Sequence, residues 1–458
     1  MRNIVMDFNV ELESIKKKTL KVNLFIKNLP QMETLKLYKG KTKITNASAF
    51  VPVKQDKNFM YFKLDKKDSL LVEYTIELET SSRFGTLGAI KNDIIAFAGE
   101  QVFLMPMEAL KLGKLDSENC FDITVDFRFK GYKNSIIPFT TNSSNNKVAL
   151  VAKGFNEVFE FGKASYVFTD SAIPKNARLN LFANYDIPET VKTTVNTIYS
   201  YYCGLFKKKI DLNLTLLKNT SKKRIFAGAS KSSITMSFDE TSKQDYKFLS
   251  NKIFLAFMQE LVPKQELVTP PNLWIVEGLA TYYENKSLEK LSDELKGDLD
   301  ISFDEEMKKL YRIYLYSITK HEKVYNFPPL LDGGLNCYAL VEYLYNIKAP
   351  ILIKLFEDHA SLYKEDNIVK YLINQKPKEK FLQPNMLKTI LKDKLDYIAP
   401  NYIFGTERIP LDIDIKGSVE DIKPVLEDFE KTMATYFTFE NLKPPVSEIT
   451  EEDFEIFK

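Results

Sequence analysis

The sequence predicts an α+β protein with several domains: an N-terminal antiparallel β sandwich, then a mixed α/β domain, then a C-terminal helical domain. From Leu20 to about Phe168, apolar residues alternate with polar ones in short runs, which is typical of strands. After Pro188 the apolar residues recur every three or four positions, as in helices, and from Lys243 onward this helical spacing dominates. The 458 residues, 44% of them hydrophobic, suffice for roughly three domains at about 150 residues each.

The first predicted domain covers residues 1–168. Its strand-like segments are LKVNLFI, NFMYFKL, LLVEYTIEL, FDITVDFRF, VALVA and EVFEF. Turn-like clusters such as KNLPQ and TTNSSNNK separate them, and no long amphipathic helix intervenes. We therefore expect a sandwich over residues 20–168.

The rest of the chain divides into three further parts. Residues 169–290 form the mixed domain, in which helices are predicted at 243–262 and 271–288. Residues 291–400 form the helical domain. The weakly patterned segment 401–458 is a C-terminal extension whose role the sequence does not assign.

Composition excludes several classes of function. Lys and Arg number 64 against 62 Asp and Glu, a net charge of +2, so no strong field attracts nucleic acid or an anionic membrane. The cysteines Cys120, Cys203 and Cys337 lie too far apart to indicate a paired zinc site or a disulfide framework. Only two histidines are present, and no apolar run is long enough for a transmembrane segment.

The N-terminal residues do not resemble a secretory signal. Asp7, Glu11 and Glu13 interrupt the stretch in which a signal needs its apolar run. Either the protein is cytoplasmic or it is exported and its signal has been removed, and the sequence does not separate these two cases.

One segment carries a specific motif. Residues 272–284, NLWIVEGLATYYE, contain Trp274, Glu277, Gly278, Tyr282 and Glu284, and the helical segment FLSNKIFLAFMQEL precedes them. The motif resembles the active-site helix of the gluzincin metallo-aminopeptidases, W-x-x-E-G-x-x-x-Y-x-E, and most closely that of the glycyl aminopeptidase-like family. The resemblance implies a thermolysin-like fold for the mixed domain and assigns to Glu277 the position of the third zinc ligand.

The other half of the family's zinc motif is degenerate. Where the family has H-E-x-x-H, this chain places Asn251 and Leu255 at the histidine positions and Lys252 at the general-base position. Two imidazoles four residues apart bind one ion from one helix face, and the glutamate takes a proton from the metal-bound water. Leucine offers no lone pair, and lysine repels a cation. We therefore expect neither a zinc site nor another cofactor.

A third motif is also altered. In the family, a strand beside the cleft carries a glutamate that holds the substrate's amine. Here Ser230 replaces it, with Lys231 beside it, and a cation at that place would repel an ammonium group. The residues predicted to border the former cleft are Ser230, Lys231, Lys252, Trp274, Glu277 and Tyr282.

These residues favour a catalytically inactive aminopeptidase-like protein that binds a peptide or protein partner in the former active-site cleft, or acts as a scaffold. The alternative is an active hydrolase with a relocated metal site, built for example from His321, His359 and Glu277. A third hypothesis is a structural subunit that uses the β domain or the extension. In place of the metal we expect an ion pair of about 3–4 Å between Lys252 and Glu277.

Overall fold

A computed structural model describes most of the chain. The described residues are 3–39, 43–78, 88–106, 120–139, 146–173, 178–219, 227–230, 233–262, 273–335, 337–362, 368–369, 398–428, 430–431, 455 and 457. The chain splits into two compact units, one comprising 1–196 and 209–245 and the other 197–208 and 246–458. The domain boundaries predicted from the sequence stay predictions.

The first unit contains all the strands found in the described ranges. In chain order they are β1 (Ile4–Ser14), β2 (Thr19–Lys27), β3 (Thr34–Tyr38), β4 (Lys43–Ala49), β5 (Val53–Gln55), β6 (Phe59–Lys63), β7 (Leu70–Glu77), β8 (Gly88–Ile90), β9 (Ile94–Ala98), β10 (Cys120–Arg128), β11 (Asn134–Ile136), β12 (Lys147–Lys153), β13 (Ser165–Thr169), β14 (Leu179–Ala183), β15 (Leu212–Lys218), β16 (Ala227–Ser230) and β17 (Ser233–Phe238).

Three sheets are built from β1 to β13. The largest has the order β12-β10-β1-β2-β7-β4, the second β11-β13-β9-β8 and the third β3-β6-β5. Burial alternates along the strands because successive side chains point to opposite faces; in β1 the buried residues are Ile4, Met6, Phe8 and Val10. Those side chains join one core with residues of the second sheet, such as Phe97. Alternation in the sequence therefore predicted the dominance of strands correctly.

Two details of the β prediction differ from the structure. The segment EVFEF, predicted as a strand, lies in an α-helix, α1 (Gly154–Lys163), whose apolar residues Val158 and Phe161 are three positions apart and fully buried. Strand β1 begins at Ile4, before the predicted start of the β region, and pairs in parallel with β10. The short run misread as alternation also fits one face of a helix.

A fourth sheet follows, with the order β14-β15-β17-β16. Its first three strands are parallel, and β16 is antiparallel to β17. Every residue of β17 is buried, as expected for a strand covered on both faces. These strands agree with the mixed α/β character that the sequence predicts for residues 169–290.

Further helices in the described part of the chain are α2 (Glu189–Phe206), α3 (Lys243–Leu261), α4 (Leu273–Leu288), α5 (Asp293–Asp298), α6 (Phe303–Lys320), α7 (Glu322–Tyr325), α8 (Tyr338–Tyr343) and α9 (Ala349–Leu362). Two π-helical turns lie at Leu344–Lys348 and Ala399–Ile403, and residues 423–428 are also helical. The two helices predicted around the motif agree with α3 and α4. No described helix is long and apolar enough to cross a membrane.

The second unit has an aromatic core around α4. Tyr282 meets Phe303 edge to face at 5.4 Å between ring centres, and Tyr283 stacks on Phe254 at 5.8 Å. Gly278 allows α4 to approach α9 closely, since a β-carbon at position 278 would lie 2.7 Å from the Cβ of Ala349. The motif glycine is thus explained by helix packing.

Candidate functional site

The two halves of the degenerate motif lie on α3 and α4. Along α3, Phe248, Lys252 and Leu255 are half-buried, whereas residues on the opposite side, such as Phe254, are fully buried. Phe248, Lys252 and Leu255 follow one another at spacings of four and three residues, so they lie on one helix face, which we name the accessible stripe. On α4, Glu277 is also half-buried, in contrast to Trp274, whose side chain has no solvent exposure.

Asn251, which the sequence comparison assigns to the first histidine position, has both of its amide atoms engaged in hydrogen bonds. Its Nδ2 donates a hydrogen bond of 2.9 Å to Glu284 Oε2 on α4. Its Oδ1 accepts a hydrogen bond of 3.2 Å from Lys252 Nζ. The side chain is 9% exposed, so these bonds satisfy a polar group that burial would otherwise leave at a cost. Asn251 thus bridges a cation and a carboxyl group.

A second buried pair lies beside this bridge. Lys247 on α3 and Glu306 on α6 form an ion pair of 2.9 Å, with side-chain exposures of only 14% and 15%. The charges of Lys247 and Lys252 favour an ionised Glu284, and the charge of Glu306 opposes it. These five residues, Lys247, Asn251, Lys252, Glu284 and Glu306, are named the buried polar network.

Glu284 is the most perturbed acid of the network. Its side chain is nearly inaccessible, and burial raises its pKa from 4.5 to about 7. Lys247, the hydrogen bond from Asn251 and Lys252 act in the opposite direction but do not outweigh the loss of solvation. Glu284 therefore exchanges a proton with solvent near neutral pH.

A chain of hydroxyl groups supports the backbone at Glu284. The hydroxyls of Tyr202 and Ser250 are 2.7 Å apart, and those of Ser250 and Ser287 are 2.6 Å apart. Ser287 Oγ also donates to the carbonyl oxygen of Glu284 at 2.9 Å. Because a buried hydroxyl needs a partner, this chain fixes α2, α3 and α4 in one register.

The expected ion pair between Lys252 and Glu277 is wrong. Lys252 Nζ contacts Asn251 Oδ1 and lies 4.7 Å from the centre of the Phe248 ring, and no ion pair joins it to Glu277, although both side chains belong to the described residues. Burial lowers the pKa of Lys252, while the charges of Glu277 and Glu284 oppose that shift. The nearest acceptor is therefore the amide of the preceding residue rather than the carboxylate of the facing helix.

The other predicted cleft residues differ in their surroundings. Tyr282 is 2% exposed, and its hydroxyl accepts a hydrogen bond of 3.2 Å from Lys286. Ser230 is the last residue of β16, and Lys231 lies outside the described residues. Trp274 and Tyr282 contribute to packing in this structure, whereas Lys252, Leu255 and Glu277 retain partial access to solvent.

The residues at the family's zinc position do not fit a zinc ion. Leu255 has no donor atom, and the amide oxygen of Asn251 already accepts from an ammonium group. Within the described ranges, no three His, Cys, Asp or Glu side chains are placed to hold a metal, so His321, His359 and Glu277 are not brought together. His321 Nε2 instead lies 2.7 Å from Glu430 Oε1.

Comparison with solved structures gives the fold. The chain matches an aminopeptidase N family protein from Idiomarina loihiensis with a TM-score of 0.53 and 11% identity, over 89% of this chain and 77% of that one. This chain has that protein's fold. An M1 zinc metallopeptidase from Deinococcus radiodurans matches with a TM-score of 0.41 and 11% identity, over 89% and 95% of the two chains. No family model and no curated protein sequence matches.

Sequence reasoning missed most of the buried polar network. Glu284 was recognised as part of the motif but not as the partner of Asn251, and Lys247 and Glu306 were not considered. One signal was available: Lys247 lies four residues before Asn251, so both side chains project from the same face of α3. The contribution of Glu306 depends on tertiary structure and has no local signal.

Proposed function

We propose that this protein is a catalytically inactive member of the aminopeptidase-like proteins, closest to the glycyl aminopeptidase type, and that it binds an extended peptide or protein segment in the former active-site cleft. The observation that carries the proposal is the double engagement of Asn251. Its amide connects Lys252 to Glu284 at the position from which a zinc ligand would have to act.

Each step of the family's reaction lacks its group in this chain. A zinc-bound water requires neutral imidazole or carboxylate donors, and of the three ligand positions only Glu277 offers one. A general base requires a group that accepts a proton at the pH of the reaction, but position 252 carries an ammonium group. Restoring the reaction would therefore need at least three substitutions, not one.

A retained binding role agrees with the character of the accessible stripe. Phe248 and Leu255 offer half-buried apolar surface on either side of the Lys252 cation, and Glu277 adds a carboxylate on α4. Apolar surface with a few convergent polar groups is the usual composition of a ligand site. The chemistry suits a peptide, which combines apolar side chains with polar main-chain groups.

Metal content and hydrolysis test the absence of catalysis. Purified protein should contain far less than one equivalent of zinc and should not cleave aminoacyl anilides. The matched control is the triple variant Asn251→His, Lys252→Glu, Leu255→His, which restores the H-E-x-x-H pattern and should acquire zinc if the helices keep their geometry. One equivalent of zinc in the parent, lost in Glu277→Ala together with chelator-sensitive cleavage, would show that the protein is an active enzyme.

Binding is tested separately on an array of N-acetylated pentapeptides. Leu255→Arg should abolish the signals that the parent protein gives, because it replaces an apolar side chain of the stripe by a charged one. Glu260→Arg adds an arginine at an exposed position of the same helix, off the stripe, and should preserve them. Signals that survive Leu255→Arg would locate binding on another surface, as the structural-subunit hypothesis predicts.

A further inference from the structure

The C-terminal extension contains a segment that is extended but belongs to no sheet among the described residues. Residues 409–416 alternate between more and less buried positions, beginning with Ile409, which has no solvent exposure. Such alternation normally accompanies a strand that pairs with neighbours through its backbone. Here the backbone groups must be satisfied in another way, because buried peptide groups need hydrogen-bond partners.

Side chains of α6 satisfy three of these groups, at Ile409 and Leu411. The Tyr311 hydroxyl donates to the carbonyl oxygen of Ile409 at 3.1 Å and accepts from the N–H of Leu411 at 3.3 Å. The Tyr314 hydroxyl accepts from the N–H of Ile409 at 3.0 Å. The two tyrosine hydroxyls thus form hydrogen bonds with three main-chain groups of one short stretch.

Arg312, between the two tyrosines, binds the next part of the extension. Its guanidinium donates to the carbonyl oxygens of Gly417, at 3.2 Å, and Ser418, and lies 3.4 Å from Asp421 Oδ1. The Phe457 ring covers it, with 4.9 Å between the guanidinium carbon and the ring centre. The arginine side chain is only 4% exposed, and an arginine buried this deeply is normally paired.

We propose that Tyr311, Arg312 and Tyr314 form a docking surface for extended polypeptide, and that residues 409–421 of the extension are its intramolecular ligand and can be exchanged for the same segment supplied by another molecule. Most of the hydrogen bonds go to main-chain atoms, so the surface requires an extended backbone with one apolar side chain, at the position of Ile409. This is the mode of recognition by which proteins add an extended peptide to unsatisfied donors and acceptors. The surface is distinct from the accessible stripe, and the inference does not rest on the proposed function.

The test uses a substitution in the full-length chain that releases the segment from the docking surface. Ile409→Asp places a carboxylate at a fully buried position and should release the segment, while the docking residues remain unchanged. A fluorescein-labelled peptide of sequence GTERIPLDIDIKGSVEDI, residues 405–422, should then bind the variant in fluorescence anisotropy much more tightly than the parent chain, in which the chain's own segment competes for the surface. The same peptide with aspartate at the position of Ile409 is the matched control and should not bind.

A second substitution identifies the surface. Adding Arg312→Met to the Ile409→Asp chain removes the hydrogen bonds to the two carbonyls and should weaken peptide binding by roughly tenfold or more, since bonds to a charged donor contribute about 1.5–3 kcal/mol. If the folded Ile409→Asp chain does not bind the peptide, or if Arg312→Met leaves its affinity unchanged, the docking surface is refuted.

If the Ile409→Asp variant fails to fold, hydrogen exchange on the parent chain tests the proposal instead. A segment that docks reversibly should open on its own, so the amides of Ile409 and Leu411 should exchange faster than that of Ile313 in α6 but more slowly than that of the exposed Asp412. Exchange of Ile409 and Ile313 at the same rate would show that the segment separates only when the unit unfolds, and would overturn the inference.

Discussion

The carboxyl group of Glu284 makes the stability of the second unit depend on pH in a direction opposite to that of most acids. Its pKa is 4.5 when it is exposed and about 7 in the folded protein. At a pH between 4.5 and about 7, the carboxyl group is therefore protonated in the folded state and ionised in the unfolded state. Stability from this group is complete below pH 4.5 and is lost as the pH rises towards 7.

The substitution Glu284→Gln isolates this effect. One proton per molecule corresponds to about 1.4 kcal/mol per pH unit, so the shift from 4.5 to about 7 costs the parent about 3 kcal/mol by pH 8. Glutamine keeps an oxygen that accepts from Asn251 and carries no charge. We expect the variant to exceed the stability of the parent by less than about 1 kcal/mol near pH 5 and by about 3 kcal/mol at pH 8.

The assay is urea unfolding at pH 5, 6, 7 and 8, followed by fluorescence of Trp274. This is the single tryptophan of the chain, it is fully buried, and it lies on the same helix as Glu284. Glu260→Gln, at an exposed position on α3, is the control and should follow the parent at every pH. A difference between Glu284→Gln and the parent that does not grow with pH would refute the assignment of a desolvated, proton-binding carboxyl group.

Three other outcomes follow from contacts in the second unit. Lys247→Met should destabilise by about 3–5 kcal/mol because it removes the cation that lies 2.9 Å from the largely buried Glu306 carboxylate, and Lys247→Met with Glu306→Leu should cost much less in the same urea titration. Gly278→Ala should cost about 1–3 kcal/mol in thermal unfolding, since its β-carbon would press on Ala349, and a neutral effect would contradict the close packing of α4 and α9. Lys252→Gln should cost less than Lys247→Met, because Lys252 contacts a neutral amide; an equal loss would indicate a missed ion pair.

The order of secondary structure could be predicted because burial imposes a period on the sequence. Long runs with one period, such as LLVEYTIEL and the two helices of the motif, were assigned correctly. The segment EVFEF was not, because its apolar residues at positions 159 and 161 fit a short alternating run, whereas those at positions 158 and 161 fit one face of a helix. The extended segment after Ile409 has clear alternation, but alternation does not say whether strands or tyrosine hydroxyls will satisfy the backbone.

The chemistry of single residues at the site could be predicted from the sequence, but the contacts between them could not. That Leu255 cannot bind a metal follows from its chemistry alone. That Asn251 pairs with Glu284, and Lys252 with Asn251 rather than Glu277, depends on side-chain reach and on competition between acceptors a few ångströms apart. Such competition is decided by tertiary geometry, which a helix alignment does not contain.

The surviving half of the aminopeptidase motif can be explained largely without catalysis. Trp274 is fully buried, Gly278 permits the contact with Ala349, Tyr282 packs on Phe303, and Glu284 holds Asn251. Each of these residues has a packing or hydrogen-bonding role that would persist in a protein without zinc. The sequence comparison aligns positions 251, 252 and 255 with the family side chains that serve the metal and its water. Glu277 differs from these residues in exposure: it is half-buried, whereas Trp274, Gly278, Tyr282 and Glu284 are buried, and it is therefore the motif residue at which a ligand interaction should first be sought.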